Sequence, residues 1–134
     1  ITVSETEWDF ERYKPDIIVI NLGTNDMNYA TTDERKAEFE DGYLDFLKKV
    51  RSLNPDSYIF QTYGVMGTSL EENIENVRRK YMSETGDERI TFIPLTMQDE
   101  DADGIVADWH PSPRTHSLVS QKVTAAIKKT LGYK

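Results

Sequence analysis

Residues 16–22 read DIIVINL, an apolar run rich in β-branched side chains, with Lys14-Pro15 ahead of it and Gly23 directly behind. Valine and isoleucine pack well on a pleated surface, and a run without polar alternation offers no face to water. It predicts a strand buried on both faces, the kind found inside parallel sheets. SYIFQTYG (57–64) and ITFIPL (90–95) are shorter candidates of the same type. Parallel neighbours need long crossovers, and helical periodicity fills the gaps. Phe39, Tyr43, Phe46, Leu47, Val50 and Leu53 recur at three- and four-residue steps across 33–53, until Asn54-Pro55 stops them. Leu70, Ile74, Val77 and Tyr81 form a stripe across 69–85, with Thr68 or Ser69 as cap, Glu71 or Glu72 three residues on, and Gly86 at the end. Val119, Val123, Ala126, Ile127 and Leu131 give a third stripe across 114–131, closed by Gly132. The order strand, helix, strand, helix, strand, loop, helix is an α/β unit around a parallel sheet with right-handed crossovers.

A chain of 134 residues is one domain by length, 1–134. Its formal charge of −8 argues against a nucleic-acid backbone or an anionic membrane surface as partner. No apolar stretch approaches the ~20 residues a membrane helix needs. Without cysteine there is no disulfide framework and no thiolate zinc site. Three strands are few for such a sheet, and a doubly buried strand at 16–22 needs neighbours on both sides. The chain opens on Ile1 with no signal peptide. The expectation is an incomplete domain, a piece of a longer chain whose N-terminal strands are missing, or a sheet edge covered by another chain.

In open α/β sheets ligands bind beyond the carboxyl ends of the strands. Three segments leave there: GTNDMN (23–28), GVMGTS (64–69) and the long loop 95–113. Glycine lets the chain turn sharply at position 23, and Asn25 just beyond can aim its amide N–H at a substrate; Asn25 and Asp26 read equally as turn or capping residues. Both histidines fall in ADWHPSPRTH (107–116). His110 stands just ahead of a helix start, with Ser112 as N-cap and Pro113 in the first turn. A neutral imidazole there suits a general base for a serine hydroxyl, and a solvated loop histidine is the alternative. His116 is read as a solvated helix residue. No metal site is expected: the two histidines lack ligand spacing, and DEDADG (99–104) does not complete a calcium loop.

PDIIVINLGTND and ADWHPS together resemble the third and fifth sequence blocks of the SGNH (GDSL-type) hydrolases, with the family 2 carbohydrate esterases closest in flavour. The likeness runs from about Tyr13 to Leu131. It implies a flavodoxin-like α/β/α sandwich with a parallel sheet and a serine esterase that needs no cofactor. By motif match His110 is the base, Asn25 the oxyanion-hole side chain and Gly23 the residue that lets the loop approach substrate. Substrates in that family are acetyl groups on plant polysaccharides, notably xylan, and the enzymes are commonly secreted. Trp109 then stacks on a sugar ring or anchors its loop, and Met66 lines the acyl pocket or packs. Two departures stand out. The G-D-S block that carries the nucleophile is absent, as is the glycine block, and Ser4 in TVSETE has no strand before it; the chain alone is expected to be inactive. The family's acid three residues before the histidine is here Ala107. Asp108, two before, is at the wrong spacing, so a Ser-His dyad is expected, oriented by a backbone carbonyl or a loop carboxylate such as Asp103. His116→Ala is expected to leave activity near wild type. A non-catalytic carbohydrate-binding or interaction module on the same scaffold is the competing reading. The uncovered sheet edge implies self-association or pairing with the missing N-terminal segment.

Overall fold

The computed structural model describes residues 9–133; Ser4 lies outside them. Three strands, Ile17–Asn21 (β1), Tyr58–Tyr63 (β2) and Ile90–Pro94 (β3), pair in parallel in the order β1-β2-β3. Val19 stands opposite Phe60, and Phe60 opposite Thr91. Because side chains alternate along a strand, this register sorts the apolar residues onto two faces. Ile18, Ile20, Ile59, Tyr63 and Ile90 pack with the helices Asp33–Leu53 (α1) and Glu71–Thr85 (α2), through Leu44, Leu47, Ile74 and Val77. Ile17, Phe60 and Ile93 face the other way. After a one-turn helix at Glu100–Asp103 (α3), they meet Val119, Val123 and Ile127 of the C-terminal helix Pro113–Leu131 (α4). The result is an α/β/α sandwich with two cores. Leu47, Ile59, Phe60, Ile74 and Val77 are wholly buried, each worth about 1.5–3 kcal/mol relative to exposure.

Helix ends follow local chemistry at most positions. Thr32 accepts from the Arg35 N–H to open α1, and Ser112 accepts from the Thr115 N–H to open α4, with Pro113 in its first turn. Gly86 and Gly132 close α2 and α4 in the left-handed region. The start of α2 departs from expectation. Neither Thr68 nor Ser69 caps it; Leu70 takes the cap position without a side-chain hydrogen bond. Leu70 is wholly buried, so its apolar contact with the core sets the entry of this helix in place of a hydroxyl.

A second correction concerns β1. Among the described residues β2, not β1, is the strand covered on both faces, and β1 is an edge. Val19 is 48% exposed, because α4 lies over β2 and β3 and leaves that face of β1 open; Leu22, 46% exposed, emerges on the other side, beside Phe39 and Tyr43 of α1.

The amino ends of the strands are closed by charge. Arg51 at the end of α1 donates to the carbonyls of Ser57 (2.6 Å) and Arg89 (3.1 Å) and pairs with Asp87 at 2.7 Å. Burial raises the Asp87 carboxyl, but hydrogen bonds from the Arg89 N–H and the Tyr81 hydroxyl, together with the Arg51 guanidinium, outweigh it and hold the group below its ordinary value. All of this lies at the opposite end of the sheet from the loops described next.

Candidate active site

Three loops leave the carboxyl ends of the strands and meet at one rim. The first turns at Gly23, whose φ is +114°. A Cβ there would sit 3.1 Å from the Tyr63 ring, so only glycine lets the chain fold tightly over β2. A 3-10 turn at Asp26–Asn28 follows, with Asn25 exposed at its start.

The second loop begins at Gly64, at φ +137°, where a Cβ would fall within 2.8 Å of the Leu95 carbonyl carbon and closer still to its oxygen. Val65 comes next at φ +64°, and the Met66 N–H bonds back to the Gly64 carbonyl at 2.8 Å. That is a γ-turn of the positive-φ kind, rare and strained, and for a β-branched residue it is an outlier.

The third loop carries the histidines. Residues 105–111 close on themselves through a bridge between Ile105 and Pro111 and a bond from the Val106 N–H to the His110 carbonyl. At its tip is a 3-10 turn, Ala107–Trp109, with Asp108 and Trp109 both left-handed, at φ +54° and +61°. The His110 ring bonds through Nδ1 to the Ala107 carbonyl at 3.0 Å. A carbonyl only accepts, so Nδ1 carries the proton, and the lone pair sits on Nε2.

His110, Met66, Asn21 and Thr24 line a cleft of about 230 Å³ at this rim. His116 reaches the same cleft from the first turn of α4 while staying exposed to solvent, in keeping with its reading as a solvated helix residue. Asn25 and Trp109 do not line the cleft. Asn25 flanks it on the first loop, and Trp109 is 66% exposed, on the surface and not in a core. Neither carboxylate reaches the ring. Asp103 pairs with Arg114 at 2.7 Å, and Asp108, in the same tight turn as the histidine, makes no hydrogen bond to it. The choice left open between backbone carbonyl and carboxylate falls to the carbonyl. Among the described residues no serine lines the cleft, and no group of three or more metal-ligating side chains occurs.

A three-stranded parallel sheet between two helix layers is an α/β fold of the SGNH kind. The chain belongs to the GDSL-like lipase/acylhydrolase family, whose sequence profile matches residues 2–118. It is 37% identical over 139 residues to the cellulase/esterase CelE of Acetivibrio thermocellus, an alignment covering 97% of this chain and 16% of that protein. It is 23% identical to the acetylxylan esterase/glucomannan deacetylase of Cellvibrio japonicus, over 95% of this chain and 34% of the relative. Among solved structures, a family two carbohydrate esterase from Clostridium thermocellum in complex with cellohexaose superposes with a TM-score of 0.85 at 37% identity, covering 98% of this chain and 41% of that one. An acetyl xylan esterase (Est2A) from Butyrivibrio proteoclasticus gives 0.86 at 27% identity, covering 95% and 40%. The chain thus spans well under half the length of each of these relatives.

Proposed function

We propose that this chain is the base-bearing part of a serine esterase that removes acetyl or other short acyl groups from carbohydrates such as xylan. The observation that carries the reading is the His110 ring, held through Nδ1–H by the Ala107 carbonyl with Nε2 free, at a cleft on the carboxyl rim of a parallel sheet. In this mechanism a serine hydroxyl from a segment outside the described residues gives its proton to Nε2 as its oxygen attacks the ester carbonyl carbon. The Asn25 side-chain N–H stabilises the tetrahedral oxyanion, a donor typically worth ~3 kcal/mol. Collapse expels the sugar hydroxyl, which takes the proton back from His110; water then releases the acyl group by the same base. Met66 borders the acyl group, Gly23 lets the first loop approach, and the exposed face of Trp109 stacks on a sugar ring.

In the same reading the free edge of β1 pairs with a strand outside the described residues, and the enzyme acts outside the cell; reporter fusion of the native N-terminus tests the export. The central test is His110→Ala in the intact protein: hydrolysis of p-nitrophenyl acetate is expected to vanish while the fold survives. Activity retained at the wild-type level overturns the assignment. Saturable binding of xylo-oligosaccharides by an intact protein that never turns over acetyl esters replaces it with the binding-module reading.

A further inference from the structure

Three non-glycine residues among those described adopt left-handed backbone: Val65, Asp108 and Trp109. L-residues resist that conformation, and it persists only where the surroundings over-determine it. Two of them, Val65 and Trp109, are tied to one residue, Gln98. The Gln98 main-chain N–H donates to the Val65 carbonyl at 2.9 Å, and the Gln98 Nε2 donates to the Trp109 carbonyl at 2.9 Å. Gln98 thus clips the strained turn of the second loop to the strained turn of the third.

The clip acts on the peptide unit that precedes the base. Trp109 C=O and His110 N–H belong to the same planar unit. Gln98 holds its oxygen, and the Ala107 carbonyl takes its N–H at 3.2 Å. With both ends fixed, the unit cannot rotate, and the His110 ring meets the Ala107 carbonyl without searching. The amide pays nothing back elsewhere: Gln98 Oε1 is buried with no partner among the described residues. Because Trp109 offers only an acceptor, the amide cannot flip to satisfy that oxygen. A position selected for packing alone would be better served by an apolar side chain of the same length.

We infer that Gln98 is a positioning residue of the esterase: it holds the Trp109–His110 peptide so that His110 Nε2 faces the cleft in the orientation that proton transfer needs. The inference rests on His110 being the base. Gln98→Met keeps the length and removes the donor; Gln98→Glu keeps the shape and sets a carboxylate oxygen against the Trp109 carbonyl. In the intact protein both are expected to lower kcat for p-nitrophenyl acetate about 10- to 100-fold per folded molecule, the scale of a small misplacement in an active site. KM is expected to stay within about twofold, and Gln98→Glu to be the more impaired of the two. A merely structural role moves the folded fraction, read by circular dichroism, and leaves kcat per folded molecule alone. Wild-type kcat in both variants while His110→Ala is inactive overturns this inference and spares the function; an active His110→Ala overturns both.

Discussion

The His110 ring and its own backbone N–H share one acceptor, the carbonyl of Ala107, at 3.0 and 3.2 Å. That single oxygen does what a carboxylate does in a triad: it selects the tautomer and fixes the ring plane. It also stands at the position, three residues before the histidine, where an acid is the common choice. Backbone here substitutes for side chain, and the left-handed Asp108 and Trp109 are what curl the chain back far enough to deliver the carbonyl.

Asp108 makes no hydrogen bond to the ring and, in the proposed mechanism, carries no catalytic duty. Replacing a true triad acid by its amide costs about 10⁴ in kcat, whereas Asp108→Asn is expected to leave kcat within about threefold. Asparagine also tolerates the left-handed region at least as well. Steady-state kinetics of this variant in the intact protein decide it; a loss of several thousandfold restores the triad.

His116 lines the cleft without a hydrogen bond to His110. His116→Ala is expected to raise KM by about 2- to 10-fold, the worth of one neutral hydrogen bond, with kcat close to wild type. A collapse of kcat equal to that of His110→Ala makes it part of the proton transfer instead.

Asp87 titrates below its ordinary value in the folded chain. A depressed carboxyl contributes stability that is fully present above its unfolded value, about 3.9, and is lost as pH falls through the folded one. Asp87→Asn is expected to cost about 1–3 kcal/mol at neutral pH. Thermal melts of the two proteins are expected to begin converging as pH falls below ~4, and catalysis per folded molecule to be unchanged, since Asp87 lies at the far end of the sheet. A constant gap in melting temperature from pH 7 to 3 removes the assignment.

Gly64 is where β2 enters the site against the Leu95 backbone. Gly64→Ala adds a methyl that meets backbone, at a φ that L-residues resist, and is expected to cost about 2–4 kcal/mol in denaturant melts. A loss below about 0.5 kcal/mol means that the loop relaxes freely.

Among the described residues the edge of β1 is unpaired, beside the exposed Val19 and Leu22. Such an edge templates pairing, so the 134-residue chain by itself is expected to associate with rising concentration in light scattering, and Val19→Lys to reduce it. A monodisperse monomer across the range refutes the pairing role of this edge.

Much of this was legible in one dimension. The three strands, the three long helices, the cap at Ser112 and the closures at Gly86 and Gly132 follow from local rules of periodicity, hydroxyl capping and glycine at positive φ. These rules fail only where tertiary packing overrides them, as Leu70 does at the start of α2. His116, three positions before Val119 on α4, reaches the cleft while staying exposed, which helical periodicity does not announce. Gln98 carried no signal at all: a glutamine in an acidic loop looks like any solvated residue until Val65 and Trp109 are brought beside it.

The sequence alone determined the alternation of strands and helices, and through two short motifs the family. Those are properties of residue order, and residue order is written in the chain. Only the tertiary structure decided which strand is covered on both faces, that Asp103 belongs to Arg114, and that a backbone carbonyl orients His110. Each depends on which atoms meet across loops far apart in the chain, where positive-φ residues that no pattern announces turn the backbone toward its partner.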